Sequence, residues 1–178
     1  SVATKSLVST CAGHTDYVRD FNASVPSWGI TGAPLVDGDR LICLVGGEPD
    51  AKVVAFDKRT GDVLWQALSS DWEPGYSQPI LIEAGGAPQL IIWHPRAISA
   101  LDPATGEIYW EVPHIVDMGM AISTAVRGGP YLFVTSQWGG ARMMRLAETH
   151  PDATLVWEGV GESDPEHGRV FDTLDSVI

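Results

Sequence analysis

One eleven-residue pattern occurs twice in this chain, 45 residues apart, and it limits the fold more than any other feature. Ala55-Phe56-Asp57-Lys58-Arg59-Thr60-Gly61-Asp62-Val63-Leu64-Trp65 returns as Ala100-Leu101-Asp102-Pro103-Ala104-Thr105-Gly106-Glu107-Ile108-Tyr109-Trp110. Six of the eleven positions are identical or, at Asp62 and Glu107, both acidic, and the apolar positions keep their phase. Upstream, Ala33-Pro34-Leu35-Val36 matches Gln78-Pro79-Ile80-Leu81 at the same spacing. A third, weaker copy opens at Ser123-Thr124-Ala125-Val126, carries Met144-Arg145-Leu146 where the others carry Val54-Ala55-Phe56 and Ser99-Ala100-Leu101, and closes at Trp157. It lacks the Asp and the Thr-Gly pair, and Trp157 lies 47 residues beyond Trp110, which predicts a turn two residues longer. Leu174-Asp175-Ser176-Val177-Ile178 reads as the first strand of a fourth copy, and Ser6 to Phe21 as the tail of a preceding one, with Arg19 in place of Trp. The expected organisation is a tail over 1–28, units over 31–67, 76–113 and 119–160, and the start of another over 172–178. Units of this kind bury their apolar faces against one another, so the copies are expected to stack.

The local signals inside a copy are β. Asp37-Gly38-Asp39 is a hairpin turn between Ala33–Val36 and the β-branched run Arg40–Val45. Lys52–Phe56 and Asp62–Gln66 form the next pair, joined through Asp57-Lys58-Arg59-Thr60-Gly61. In that turn the Asp57 carboxylate can accept backbone N–H groups, Thr60 can add another bond, and Gly61 takes the positive φ that leads into a strand. Asp102, Thr105 and Gly106 repeat the arrangement. Four short strands per copy, with no convincing amphipathic helical window, predict an all-β protein. A period near 45 residues with four strands per unit predicts a partial β-propeller arc of about three to four four-stranded antiparallel blades. A closed ring needs roughly 4–8 blades, so the chain is expected to be part of a longer one, the alternative being that another chain completes the ring.

Charge narrows the function. Lys plus Arg number 11 against 23 Asp plus Glu, a formal charge of −12, and no basic stripe stands out. Nucleic acid and anionic membrane surfaces are therefore not expected partners. No apolar run approaches the roughly 20 residues that span a bilayer, and Ser1–Thr10 lacks a signal-peptide pattern. Cys11 and Cys43 are too few and too far apart for a zinc knuckle or a redox pair. A disulfide between them is allowed, but free, partly buried thiols are the expectation.

The unit A-x-D-x-x-T-G-x-x-x-W resembles the quinoprotein-type, or PQQ-like, β-propeller repeat, strongly at 55–65 and 100–110 and weakly at 144–157. The segments Gly32–Leu41 and Gly75–Pro79 are similar to bacterial secreted members of that family, and the likeness covers about residues 28–160. It implies that Trp65, Trp110 and Trp157 pack between blades, each with its turn glycine against it, and that the protein is periplasmic or extracellular. Two activities are implied. Some members are dehydrogenases that hold pyrroloquinoline quinone (PQQ) and Ca²⁺ in a central funnel; others are scaffolds, such as the periplasmic propeller of the outer-membrane protein assembly machinery. The enzymes use adjacent cysteines and an Asn–Asp–Glu metal set with a catalytic Asp. Here no Cys-Cys pair occurs and Asn22 is the sole asparagine, so no catalytic, cofactor or metal residue is assigned. The expected function is a non-catalytic scaffold or binding module with a protein partner or the remainder of the propeller. The alternatives are a fragment of a PQQ- and Ca²⁺-dependent alcohol or sugar dehydrogenase, and an oligosaccharide- or peptide-binding module.

Propellers bind ligands on the face formed by inter-blade loops and the loops between second and third strands. Those loops are expected near 67–77, 112–120 and 158–173, and near 46–51, 94–97 and 136–140. Their candidate residues are Trp72, Glu73, Tyr76, His94, Arg96, His114, Asp117 and Trp138, with Asp164, Glu166 and His167 further on. The acidic stretch Glu162–His167 lacks EF-hand spacing, and His14 with Asp16 is a weak metal pair, so neither is a metal site.

Overall fold

The computed structural model describes residues 20–29 and 32–159, and among these the chain forms three antiparallel four-stranded sheets. Blade 1 comprises β1 (Leu35–Asp37), β2 (Arg40–Gly47), β3 (Ala51–Asp57) and β4 (Val63–Ala67). Blade 2 comprises β5 (Ile80–Ala84), β6 (Ala87–His94), β7 (Ala97–Leu101) and β8 (Ile108–Pro113). Blade 3 comprises β9 (Val126–Gly128), β10 (Tyr131–Ser136), β11 (Gly140–Leu146) and β12 (Ala153–Gly159). Each sheet runs in sequence order, every strand pairing with its neighbour in the chain. The chain is all-β, a partial propeller arc.

The repeated turn is built by the residues that repeat. The backbone N–H groups of Arg59 and Thr60 donate to the Asp57 carboxylate at 2.7 and 2.9 Å, and that of Ala104 donates to Asp102 at 2.7 Å. Thr60 and Thr105 hydroxyls accept from the N–H of Asp62 and Glu107, both at 3.2 Å. Beyond each turn the outer strand carries a bulge, so that Trp65 stands opposite Ala55 and Trp110 opposite Ala100.

The third copy departs from expectation. Its turn spans no more chain than the others: Ala147 N–H donates to the Asp152 carbonyl, just as Asp57 bonds to Asp62 and Asp102 to Glu107. The two additional residues lie in β12 instead. They add two ladder pairs, Arg145 with Thr154 and Met144 with Leu155, and move the bulge along so that Trp157 faces Met143. Extra residues in a ladder gain backbone bonds, whereas in a tight turn they lose them.

Strand alternation sorts each apolar run between two seams. Leu90, Ile92 and Leu101 face blade 1, packing with Ile42, Val53, Ala55 and Trp65. Ile91, Trp93, Ile98 and Ala100 face blade 3, packing with Leu132, Val134, Met144 and Leu146. Blade 2 is thus covered on both sides, which is why its central strands are continuously apolar. Phe21 and Ala23 cover the outer side of blade 1 over Leu41, Cys43, Val54 and Phe56. The distal side of blade 3 exposes part of Phe133, Met143 and Trp157.

The three tryptophans are not equivalent. Trp65 reaches blade 2: its Nε1 donates to the Pro103 carbonyl at 3.1 Å, and a Cβ on Gly106 would stand 2.7 Å from its ring. The glycine against it therefore belongs to the next copy. Trp110 lies in the seam with blade 3, whose turn carries no Thr-Gly pair, and its Nε1 donates to Gln89 Oε1 of its own blade at 2.8 Å. Trp157 stacks on Phe133 with ring centres 6.5 Å apart and lies over Gly159 of its own strand.

Cys43 is buried and disulfide-bonded, which corrects the expectation of a free thiol; Cys11 lies outside the described residues. The segments 1–19 and 160–178, including His14, Asp16, Asp164, Glu166, His167 and the strand expected at Leu174–Ile178, also lie outside them.

Candidate functional site

At one end of the sheets the loops interlock. The segment between β4 and β5 is pinned to the turn before β3 by Glu48, which accepts from Ser69 Oγ at 2.7 Å and Ser70 N–H at 3.0 Å and pairs with Lys52 at 2.8 Å. Burial raises the Glu48 carboxyl, but the bonds from Lys52, Ser69 and Ser70 outweigh it and lower its pKa to about 2. Further along, Tyr76 N–H donates to the Ala121 carbonyl at 2.8 Å and Ser77 Oγ to that of Ser123 at 2.8 Å. Between these anchors the backbone passes so near the β6–β7 turn that a Cβ on Gly75 (φ +81°) would be 3.1 Å from Pro95. The β8–β9 loop lies over the same turn, with His114 and Val116 N–H donating to the Arg96 and Pro95 carbonyls at 2.9 Å each.

Glu73 joins this layer to the segment ahead of blade 1. Its carboxylate accepts from Ser27 N–H at 2.8 Å, Ser27 Oγ at 2.5 Å and Tyr76 OH at 2.7 Å, and the Tyr76 oxygen accepts from Trp28 N–H at 3.1 Å. Burial raises the Glu73 pKa and these bonds lower it, the lowering being larger, so the group is a carboxylate. Burial and the bond to Glu73 raise that of Tyr76. Around Glu73 opens a cavity of about 440 Å³ lined by Ser27, Trp28, Asp71, Trp72, Met118 and Gly119. Arg96 stands over the Trp72 ring at 4.6 Å and pairs with Asp71 at 3.3 Å. Met118 is exposed and held at φ +57°, a region that side chains other than glycine rarely adopt.

The candidate residues fall in three places. Trp72 and Glu73 line the cavity, Arg96 and Tyr76 hold those two in place, and Asp117 is exposed beside Met118. His94 and His114 are buried between blades. The His94 ring lies 3.4 Å from Ser99 Oγ, which donates to Glu111 at 2.9 Å, and burial lowers its pKa. His114 stacks on Trp93 at 5.6 Å, and its Nε2 bonds the Gly139 carbonyl at 2.8 Å; burial lowers its pKa too. Trp138 is half-buried in the β10–β11 turn and does not line the cavity. Sequence reasoning missed Trp28, Asp71, Met118 and the Glu48–Lys52 clamp. The repeat spacing puts Trp28 in the tail of a preceding unit, and nothing in it signals that this segment folds back onto Glu73.

Comparison with known proteins gives two kinds of likeness. Over 153 residues the chain is 29% identical to the quinoprotein alcohol dehydrogenase PedH of Pseudomonas putida, covering 73% of this chain and 25% of PedH. Over 90 residues it is 30% identical to the quinoprotein ethanol dehydrogenase of Pseudomonas aeruginosa, covering 44% of this chain and 14% of that enzyme. The crystal structure of BamB from Moraxella catarrhalis superposes with a TM-score of 0.51 at 15% identity, over 73% of this chain and 40% of BamB, and shows the fold alone. The chain is similar to PQQ-like β-propeller repeat proteins. No family model matches it. It spans about a quarter of the length of PedH.

The quinoprotein relatives raise the question of PQQ and Ca²⁺. Among the described residues no three His, Cys, Asp or Glu side chains are grouped so as to hold a metal ion. Cys43, the one described cysteine, is engaged in a disulfide. The described residues thus assemble no carboxylate cluster of the kind that holds Ca²⁺. Among the same residues no helix is long and apolar enough to cross a membrane.

Proposed function

We propose that the chain is a non-catalytic PQQ-like propeller module, part of a larger ring, that binds a protein partner on its inter-blade loop face. The observation that carries this reading is the cavity at Glu73, where segments from three parts of the chain converge and present Trp28, Trp72 and Met118 beside carboxylates. Sites built on loops over a rigid sheet scaffold are where propeller-like folds place recognition. The acidic balance of −12 argues against nucleic acid as the partner. A periplasmic or extracellular location is supported by the disulfide at Cys43, since such bonds persist in oxidising compartments.

A second reading, part of a quinoprotein dehydrogenase, is favoured by both curated relatives. One assay separates the two. The chain is incubated with PQQ and Ca²⁺ and dye reduction is followed over a panel of alcohols and sugars, while partner binding is measured by titration. Saturable binding with no substrate-dependent dye reduction supports the module; turnover that requires both PQQ and Ca²⁺ overturns it.

A further inference from the structure

The cavity at Glu73 has a composition that selects a class of ligand. We propose that it receives the cationic side chain, guanidinium or ammonium, of an arginine or lysine in a partner polypeptide. This rests on the loop-face reading above and specifies what that face recognises.

The charge argument comes first. Glu73 is ionised and borders the cavity, and its bonds to Ser27 and Tyr76 fix the carboxylate in place. Asp71, also on the wall, is largely exposed, and Asp117 adjoins Met118 on the rim. Arg96 is the cation nearby, and its charge is matched by Asp71, so the cavity keeps the negative potential of Glu73 within a protein of net charge −12.

Aromatic surface completes the match. A cation gains most where it meets both a carboxylate and the face of an indole. The protein already makes this pairing once, with Arg96 over Trp72. Trp28, 61% exposed on the same wall, offers a second indole. Met118, equally exposed, supplies a pliable apolar surface for the aliphatic stem of a lysine or arginine. Its left-handed backbone holds that side chain at the rim against its own conformational preference, a feature that concentrates at functional sites.

The source is a polypeptide rather than a free amine because apolar exposure extends beyond the cavity. The loop that carries Met118 also exposes Ile115 and Ile122, and residues flanking an inserted cation would cover them.

The test is a titration of the ¹⁵N-labelled chain followed by NMR. Three probes are used: an end-blocked peptide with one arginine between two leucines, the same peptide with glutamate in its place, and methylguanidine. Expected are saturable shifts at Trp28, Asp71 and Gly119 with the arginyl peptide, weakening with salt, and none with the glutamyl peptide. Affinity for the arginyl peptide should exceed that for methylguanidine about tenfold, and Trp28→Ala should lower it about fivefold or more. Met118→Gly should also weaken binding while keeping or raising the melting temperature, which separates loss of contact from loss of fold. Equal affinity for peptide and methylguanidine overturns the polypeptide source. Equal response to the glutamyl peptide, or affinity unchanged in both variants, overturns the cationic ligand. Shifts confined to the face around Trp138 overturn the cavity but leave the loop-face reading intact. A folded protein whose loop face responds to none of these probes overturns the cavity proposal, and the loop-face reading is then overturned separately if a captured partner leaves that face unperturbed.

Discussion

Gly106 answers two demands at once, and two substitutions separate them. Its φ of +78° is unfavourable for any side chain, and a Cβ there would enter the Trp65 ring. Gly38, at φ +56°, has nothing within 4 Å of that position. Gly38→Ala should therefore cost about 1–2 kcal/mol, the left-handed penalty alone. Gly106→Ala should cost about 2–4 kcal/mol, because overpacking adds to it. Urea unfolding of both variants checks this, and equal losses would show that the indole moves aside freely. Trp110 offers the complementary experiment. Trp110→Ala should cost about 3–5 kcal/mol. Trp110→Phe keeps most of the buried area but leaves Gln89 Oε1 without its donor, and should cost about 1–3 kcal/mol. At this scale the sequence was legible wherever a residue acts on its own turn: Asp57, Thr60, Gly61 and their counterparts. Gln89 was not legible, because its role exists only once β6 and β8 lie on either side of β7 in one sheet.

The segment between β4 and β5 is held by an ionised group. Glu48 has a folded pKa of about 2 against an ordinary value of 4.5, so its contribution is complete above 4.5 and is lost as pH falls through the folded value. Hydrogen exchange at Ser70 N–H should be protected near neutrality and lose that protection as pH falls toward 2. Glu48→Gln should remove the difference across that window. Protection that is the same in wild type and variant at every pH would show that the β3–β4 packing alone holds the loop. The third blade shows where reading by spacing fails. A 47-residue interval counts insertions but does not place them, and here backbone hydrogen bonding favoured a longer β12 over a wider turn. The hairpins were legible because turn residues and alternation are local; the placement of the insertion was not, because it depends on the bond partners offered by β11.

Across the whole arc, the seams carry buried histidines. His94 and His114 have folded pKa values lowered chiefly by burial. The unfolded chain binds protons near the ordinary value of 6.5 while the folded one does not, so stability should be complete above that pH and decline below it. Chemical unfolding between pH 8 and 5 should show the decline, and replacing both histidines by glutamine should flatten it; an unchanged slope would assign the effect to carboxylates. The sequence by itself determined the repeat, the four strands of each copy, the turn chemistry and the all-β stacked architecture. These follow from period-two alternation and from residues acting on neighbours a few positions away. Only the tertiary structure decided that Trp65 and Trp110 satisfy their indoles differently, and that Trp28, Glu73 and Met118 meet at one cavity. Those contacts join residues between 21 and 48 positions apart that share no pattern, and they exist only once strands have paired and blades have stacked.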